Sequence, residues 1–142
     1  MCRHRFGVLN DLHNELVAEG ITDIHFMGMN GFQYINDSNG CMLCDQPDLC
    51  SNCEGTHHLP WTQDYDDGIN CSNDNDGLCE ADDTLGDVWD MWDVTLRDLV
   101  ILDRNGRYVT RINLTATNPD PSSTCGQNYE TIKELLISIQ NQ

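Results

Sequence analysis

Residues 98–114 read DLVILDRNGRYVTRINL and predict a β-hairpin. The continuous apolar run at 99–102 is typical of a strand that is covered on both faces. Asn105 and Gly106 form a strong signal for a two-residue hairpin turn. Over residues 108–114, alternate positions fall on a more apolar and a more polar face, which predicts a half-exposed second strand. The fold class therefore includes an antiparallel strand pair, and the flanking segments show what it is combined with.

Two amphipathic helices and one further strand are predicted outside the hairpin. Residues 6–18 and 128–140 repeat apolar side chains at helical spacing, and Gly20 ends the first helix with a left-handed turn. Residues 21–29 predict a buried strand that Gly31 closes. The two apolar stripes consist of Phe6, Leu9, Leu12, Leu16 and Val17 in the first helix and of Ile132, Leu135, Leu136 and Ile139 in the last. The order of helix, strand, irregular middle, hairpin and helix indicates an α/β protein.

The charge of the chain limits its partners. Seven Lys and Arg residues stand against 24 Asp and Glu residues, so the formal net charge is −17. Such a surface repels phosphate, which argues against nucleic acid and anionic membrane as partners. No apolar stretch approaches the roughly 20 residues of a membrane span, and residues 1–10 hold no apolar run long enough for a signal peptide. Eight cysteines and a single lysine, Lys133, indicate an extracytoplasmic or secreted setting, with any signal peptide upstream.

The middle of the chain, residues 34–87, is irregular, acidic and rich in cysteine. Periodic apolar residues are few there, so hydrophobic burial alone cannot fold it, and disulfides or metal ions must add stability. Two CxxC pairs could hold Zn²⁺ through four thiolates, but their separation is short for a zinc ribbon, which favours disulfides. The four cysteines are Cys41, Cys44, Cys50 and Cys53, with His57 and His58 as alternative ligands. Seven cysteines remain besides Cys2, so at least one is free or paired with another molecule.

Within this middle segment, residues 72–83 have the rhythm of a calcium loop. Oxygen-bearing side chains fall at loop positions 1, 3, 5, 9 and 12, and Gly77 stands at position 6, where the loop turns sharply. Serine at position 1, aspartate at position 12 and the lack of flanking amphipathic helices depart from an EF-hand. A Ca²⁺ site on Asp74, Asp76, Glu80 and Asp83 is one interpretation, and a plain solvated acidic loop is the other.

Several stretches, taken in order, resemble one known family. Residues 2–12, CRHRFGVLNDL, run on to Glu19-Gly20, and further along come HLPW at 58–61, DVW at 87–89 and DLVILDRNGR at 98–107. This ordered set resembles the N-terminal domain of selenoprotein P over more than half of the chain. The hairpin by itself is common among thioredoxin-like proteins, so the order of the segments carries the specificity.

The resemblance implies an α/β, thioredoxin-like fold in which helices flank a central mixed sheet. Residues 1–142 then form a single domain, the first strand is missing, and residues 34–87 are an insertion. The family carries a UxxC motif, selenocysteine followed by cysteine, where the first strand meets the first helix. Cys2 matches the second residue of this motif, and the first would lie two positions before Met1. The resemblance thus implies a shortened selenoprotein, cut at an in-frame UGA codon, or a shortened CxxC protein, with Cys2 as its remaining catalytic residue. The alternative is a genuine start in a degenerate homologue.

The implied function is that of an antioxidant thiol or selenol oxidoreductase acting on a peroxide or a small disulfide, with no required cofactor. A helix N-terminus favours an anionic nucleophile, and Arg3, His4 and Arg5 either add positive charge beside Cys2 or form a solvated first turn. Residues 95–98 lack the proline that thioredoxin-like enzymes place before the third strand, which argues against broad reduction of protein disulfides. Without a redox partner, Cys2 would support little or no turnover. The alternative function is a non-catalytic, disulfide-stapled extracellular module that binds Ca²⁺ through its acidic loops.

Overall fold

The structure, a computed structural model, describes residues 2–36, 40–45, 50, 55–65 and 86–142. The chain divides into two compact units, Met1–Phe26 with Leu96–Gln142 and Met27–Thr95. The predicted insertion, residues 34–87, falls within the second unit. In chain order the described elements are α1 (Cys2–Ala18), β1 (Gly28–Asn30), a 3₁₀ turn (Phe32–Tyr34), α2 (Gly40–Leu43), β2 (Trp61–Gln63), α3 (Asp87–Met91), β3 (Asp98–Leu102), β4 (Tyr108–Asn113) and α4 (Gln127–Gln140). The protein is therefore of mixed α/β class, as predicted.

The predicted first helix is present and starts earlier than its apolar pattern, at Cys2. Its stripe is buried at four of the five predicted positions, whereas Val17 is 43% exposed and Val8 is buried instead. The four buried positions are Phe6, Leu9, Leu12 and Leu16. The helical period therefore located the buried face of α1 correctly except at Val17, and it did not predict the burial of Val8.

The segment after α1 leaves the helix as predicted but does not form the predicted strand. Gly20 has a φ of 87°, its N–H bonds to the carbonyl of Val17, and the N–H of Ile21 bonds to the carbonyl of Leu16. These two bonds are those of a Schellman cap, which requires a left-handed residue. The strand prediction for residues 21–29 was wrong over most of its length, because only Gly28–Asn30 pair with another strand. A strand exists only where its backbone groups find partners, and residues 21–27 have no such pairing.

The hairpin of β3 and β4 forms as predicted, but its turn differs. The strands are antiparallel with an irregularity between Ile101 and Leu102, and five residues, 103–107, connect them. The Asp103 carboxylate accepts the N–H groups of Asn105 and Arg107 at 2.8 and 2.9 Å, which stabilises this longer turn. Gly106, with a φ of 74°, supplies the left-handed residue. The prediction of a two-residue turn was therefore wrong, since the Asp103 side chain takes part in a longer turn.

The remaining parts of the first unit also test the sequence pattern. α4 matches the predicted helix; Ile132, Leu136 and Ile139 of its predicted stripe are buried, and Leu135 is half-buried. In β3, Ile101 is buried but Leu102 is 38% exposed, so this strand is not covered on both faces as its apolar run predicted. The Arg104 guanidinium donates to the carbonyl of Gln140 at 2.6 Å, which provides one of the last carbonyls of α4 with a partner.

The second unit contains a short parallel pair rather than part of one central sheet. β1 and β2 pair in parallel over three residues, and β3 and β4 form a separate two-stranded sheet. In the described residues there is thus no single mixed sheet, because no described strand joins the two pairs. The amide side chain of Gln63 bonds to Asn30 and supports the parallel pair. The carboxylate of Asp64 accepts three backbone N–H groups, two of them from α3, at Val88 and Trp89.

Candidate functional site

The first turn of α1 is the candidate redox site, and its three basic residues occupy different environments. Cys2 is the first residue of the helix, so the predicted catalytic residue stands at the helix N-terminus. Arg3 is half-buried, His4 is exposed and Arg5 is buried. The solvated first turn that served as the alternative interpretation therefore does not describe Arg5.

His4 joins the first turn of α1 to the loop that precedes α4. Its Nε2 lies 2.5 Å from Oδ2 of Asp120. Asp120 also accepts the hydroxyl of Ser122 at 2.7 Å and the N–H of Ser122 at 2.8 Å. These bonds, those from Ser122 first and that from His4 after them, lower the pKa of the Asp120 carboxyl to about 2. At neutral pH the first turn of α1 therefore has an ionised carboxylate next to His4.

Arg5 is a buried cation in this turn. Only 7% of the residue is exposed, and its Nε and Nη1 are buried and have no hydrogen-bond partner within the described part of the chain. The first turn of α1 contains no acidic residue. A guanidinium group stays charged at any pH a protein tolerates, so Arg5 adds a full positive charge to this end of the helix.

The structure assigns a disulfide within the cysteine cluster. Cys41 and Cys50 are joined, with 5.4 Å between their Cα atoms, and Cys44 is also disulfide-bonded. This agrees with the preference for disulfides over Zn²⁺, because a sulfur in a disulfide is not a thiolate ligand. Cys53 lies outside the described residues. The expectation that at least one cysteine would be free is confirmed by Cys125, an exposed thiol with a φ of 50°.

The predicted Ca²⁺ ligands, Asp74, Asp76, Glu80 and Asp83, all lie outside the described residues. Within the part of the chain that the structure describes, no group of three or more His, Cys, Asp or Glu side chains is arranged to hold a metal ion. His57, an alternative Zn²⁺ ligand in the sequence, has its Nδ1 2.8 Å from the carbonyl of Met42. The Ca²⁺ and Zn²⁺ sites stay predictions.

Sequence reasoning missed a charged network between α1 and α4. The ammonium group of Lys133 donates to Glu15 at 2.5 Å and to Glu19 at 2.6 Å, and the hydroxyl of Tyr129 donates to Glu15 at 2.6 Å. Lys133, the only lysine in the chain, is buried. Two signals were available. Lys133 stands beside Ile132 of an apolar stripe, and Glu15 in α1 and Glu19, one residue past its end, have the four-residue spacing of neighbours on one helical face.

The network changes the acidity of its members in opposite directions. The hydrogen bond from Lys133, followed by that from Tyr129, lowers the pKa of Glu15. The hydrogen bonds to Glu15 and Glu19 raise the pKa of Lys133. Burial, together with the bond to ionised Glu15, raises the pKa of Tyr129. These shifts hold the pairs in their charged form across the neutral range, which suits a structural link rather than a proton-transfer group.

Comparison with protein-family models, curated proteins and solved structures gave no match. The resemblance to the selenoprotein P N-terminal domain, and the thioredoxin-like fold that it implies, therefore stay predictions. None of the helices in the described part of the chain has the length and apolar character that crossing a membrane requires. The disulfide of Cys41 and Cys50 is compatible with an extracellular protein.

Proposed function

We propose that this protein is a thiol or selenol oxidoreductase of the thioredoxin-like type, resembling the N-terminal domain of selenoprotein P. The observation that carries the proposal is that Cys2 is the first residue of a 17-residue helix. The N-terminus of a helix has unpaired N–H groups and the positive end of the helix dipole, which favour a thiolate or selenolate. The β3–β4 hairpin and α4, which lie in the same unit as α1, support the thioredoxin-like part of the proposal.

In the proposed reaction, a thiolate or selenolate two residues before Met1 attacks a peroxide. The O–O bond breaks, water or an alcohol leaves, and the attacking atom becomes a sulfenic or selenenic acid. The Cys2 thiol then displaces water from this acid and forms a disulfide or selenenylsulfide. Two equivalents of an external thiol reduce that bond and restore the starting state. We propose an antioxidant role outside the cytoplasm, with a peroxide or a small disulfide as substrate.

The test compares the 142-residue chain with a chain extended so that a cysteine stands two residues before Met1. One equivalent of hydrogen peroxide is added to each, and mass spectrometry maps the disulfides. We expect the extended chain to lose two hydrogen atoms and to link its added cysteine to Cys2, while the 142-residue chain does not form this bond. Cys2→Ser in the extended chain should abolish the link, and Cys125→Ser should leave it unchanged. If the folded extended chain consumes peroxide without using Cys2, the proposal is wrong.

The second candidate is the disulfide-stapled module that binds Ca²⁺, and it is favoured by the disulfides at Cys41 and Cys44. Its test is the melting temperature of the oxidised protein with Ca²⁺ and with a chelator, because a ligand of the folded state raises that temperature. If the module binds Ca²⁺, the rise should disappear when Asp74 and Asp76 are both replaced by asparagine. A Ca²⁺-dependent rise together with an inert Cys2 would favour this module over the oxidoreductase.

A further inference from the structure

The loop that precedes α4 holds the carboxylate of Asp120 in a fixed place. One of its oxygens accepts the N–H and the hydroxyl of Ser122 at 2.8 and 2.7 Å. The N–H of Asp120 donates to the side-chain oxygen of Asn118 at 3.3 Å, and the side chain of Asn128 in α4 donates to the Asn118 carbonyl at 3.0 Å. Pro119, between them, is fully buried. The carboxylate is therefore fastened to α4 and can serve as an anchor for another element.

The element that this anchor reaches is the first turn of α1. The second carboxylate oxygen of Asp120, Oδ2, lies 2.5 Å from Nε2 of His4, a residue 116 positions away in the chain. An imidazole can present an N–H at Nε2 both when it is neutral and when it is protonated, so His4 can donate to the carboxylate in either state. The bond therefore acts as a tether whether or not His4 carries a charge.

The tether lies in the same helical turn as Cys2. His4 is the third residue of α1, and Cys2 is the first. The end turns of helices fray, and contacts with the rest of the protein suppress this fraying. The N–H groups and the dipole at a helix N-terminus favour a thiolate only while the turn is formed. A bond that holds His4 in place therefore acts on the acidity of Cys2 through the backbone of this turn.

We propose that His4 and Asp120 are positioning residues for Cys2, because together they hold the first turn of α1 against the loop that precedes α4. The inference rests on the proposed function for the role of Cys2 as the residue that resolves the oxidised intermediate. His4 and Asp120 act through the turn, so neither has to contact the substrate. Arg3 and Arg5 give the same turn a positive charge that does not depend on this tether.

The test measures how fast iodoacetamide alkylates Cys2 in the folded 142-residue chain, with mass spectrometry of the Cys2 peptide as the readout. Iodoacetamide reacts with the thiolate, so the rate near neutral pH reports the acidity of the thiol. We expect His4→Ala to slow the reaction about threefold near neutral pH. Well above the ordinary thiol pKa of about 8.5, the variant and the wild type should react equally fast. His4→Gln, whose amide can donate to Asp120, should keep most of the wild-type rate.

Variants of Asp120 separate the tether from a simple effect of charge. Asp120→Ala removes a negative charge from the surroundings of Cys2, which by itself would favour the thiolate and speed alkylation, whereas loss of the tether should slow it. Asp120→Asn, which keeps an acceptor oxygen for His4, should not slow it. The control is His25→Ala, which removes an exposed histidine of the same unit and should leave the rate unchanged.

Four outcomes would overturn the inference. Asp120→Ala could speed the alkylation of Cys2, His4→Ala could leave it unchanged, or the slower rate of His4→Ala could persist at high pH, which would report access rather than acidity. In the fourth, Cys2 does not react with iodoacetamide in the folded protein. The assay uses neither peroxide nor an added cysteine, so its failure is distinguishable from failure of the peroxide test of the proposed function.

Discussion

Removing the two carboxylates that face Lys133 should destabilise this protein more than removing Lys133 itself. The first change is the double variant Glu15→Gln with Glu19→Gln, and the second is Lys133→Met. Both variants break the same two ion pairs at 2.5 and 2.6 Å. They differ in which charge is left behind, and the burial of the three side chains determines the cost of that charge.

The side chain of Lys133 is 11% exposed, whereas those of Glu15 and Glu19 are 40% and 46% exposed. In Lys133→Met, the two carboxylates regain water and the methionine fills the volume of the lysine stem, so we expect a loss of about 1 kcal/mol in the free energy of unfolding. In the double variant, the ammonium group stays buried without an opposite charge. Leaving one charge of a buried pair uncompensated costs about 3 kcal/mol or more.

The assay is urea unfolding at neutral pH with the disulfides intact, followed by far-UV circular dichroism. The matched control is Glu134→Gln, which removes an exposed carboxylate from the same helix, and it should change the free energy of unfolding by less than about 0.5 kcal/mol. If Lys133→Met is as destabilising as the double variant, or more so, the burial of the lysine does not control the energy of this network and the reasoning is refuted.

The same network predicts how this stability depends on pH. The pKa of Glu15 is lowered in the folded protein, so its contribution is present above the ordinary value of 4.5 and is lost as the pH falls through the lowered pKa. The pKa of Lys133 is raised, so its contribution is complete below the ordinary value of 10.5 and is lost as the pH rises through the raised pKa. The difference in stability between wild type and Lys133→Met should therefore be constant between these limits and shrink outside them. Urea unfolding across this pH range measures it, and a difference that grows in acid would contradict the sign.

Gly28→Ala should lower stability by about 1–3 kcal/mol in thermal unfolding, because its Cβ would overlap the indole ring of Trp61. Adding Trp61→Leu should recover most of that loss, and no recovery would count against the overlap as its cause. Asp64→Ala should cost about 2–3 kcal/mol in urea unfolding, since three backbone N–H groups lose their acceptor. Asp64→Asn, which keeps one acceptor oxygen, should cost less, and equal losses would argue against this role. The Asp120 carboxyl should titrate near 2 by NMR, and its stabilisation, present above 3.8, should disappear as the pH falls toward 2. Ser122→Ala should raise that pKa, and an unchanged value would exclude the hydroxyl as the main cause.

The two long helices, α1 and α4, and the hairpin could be predicted because their signals are local. The apolar stripes of α1 and α4 repeat at the helical period, and each helix buries most of the face that its pattern indicated. Gly20 ended α1 as expected, since a left-handed residue is needed there whatever packs around it. By contrast, residues 21–29 have an apolar strand composition, yet they form a strand only at Gly28–Asn30, where β2 supplies the partner. Composition cannot specify that partner.

The candidate site likewise has features that the sequence predicted and features that only the folded structure revealed. The position of Cys2 at the start of a helix was implied by the resemblance, whereas the apolar pattern predicted the helix only from residue 6, and the structure has α1 beginning at Cys2. The different environments of His4 and Arg5 did not follow from the sequence, because His4 meets Asp120, more than a hundred residues away, and Arg5 is buried with its Nε and Nη1 unpartnered among the described residues. The pairing of Cys41 with Cys50 likewise depends on which Cα atoms come within reach, and spacing alone left it open.

The sequence by itself determined the mixed α/β class, the two amphipathic helices, the hairpin and an acidic chain with a preference for disulfides. Each of these depends on periodicity, turn chemistry or composition, which act between residues close in the chain. Only the tertiary structure decided that Lys133 is buried between α1 and α4, that Arg5 is buried and that the described strands form two separate pairs. These outcomes depend on which residues, distant in the chain, are buried together. Removing a charge or a backbone N–H from water is costly unless a partner compensates it.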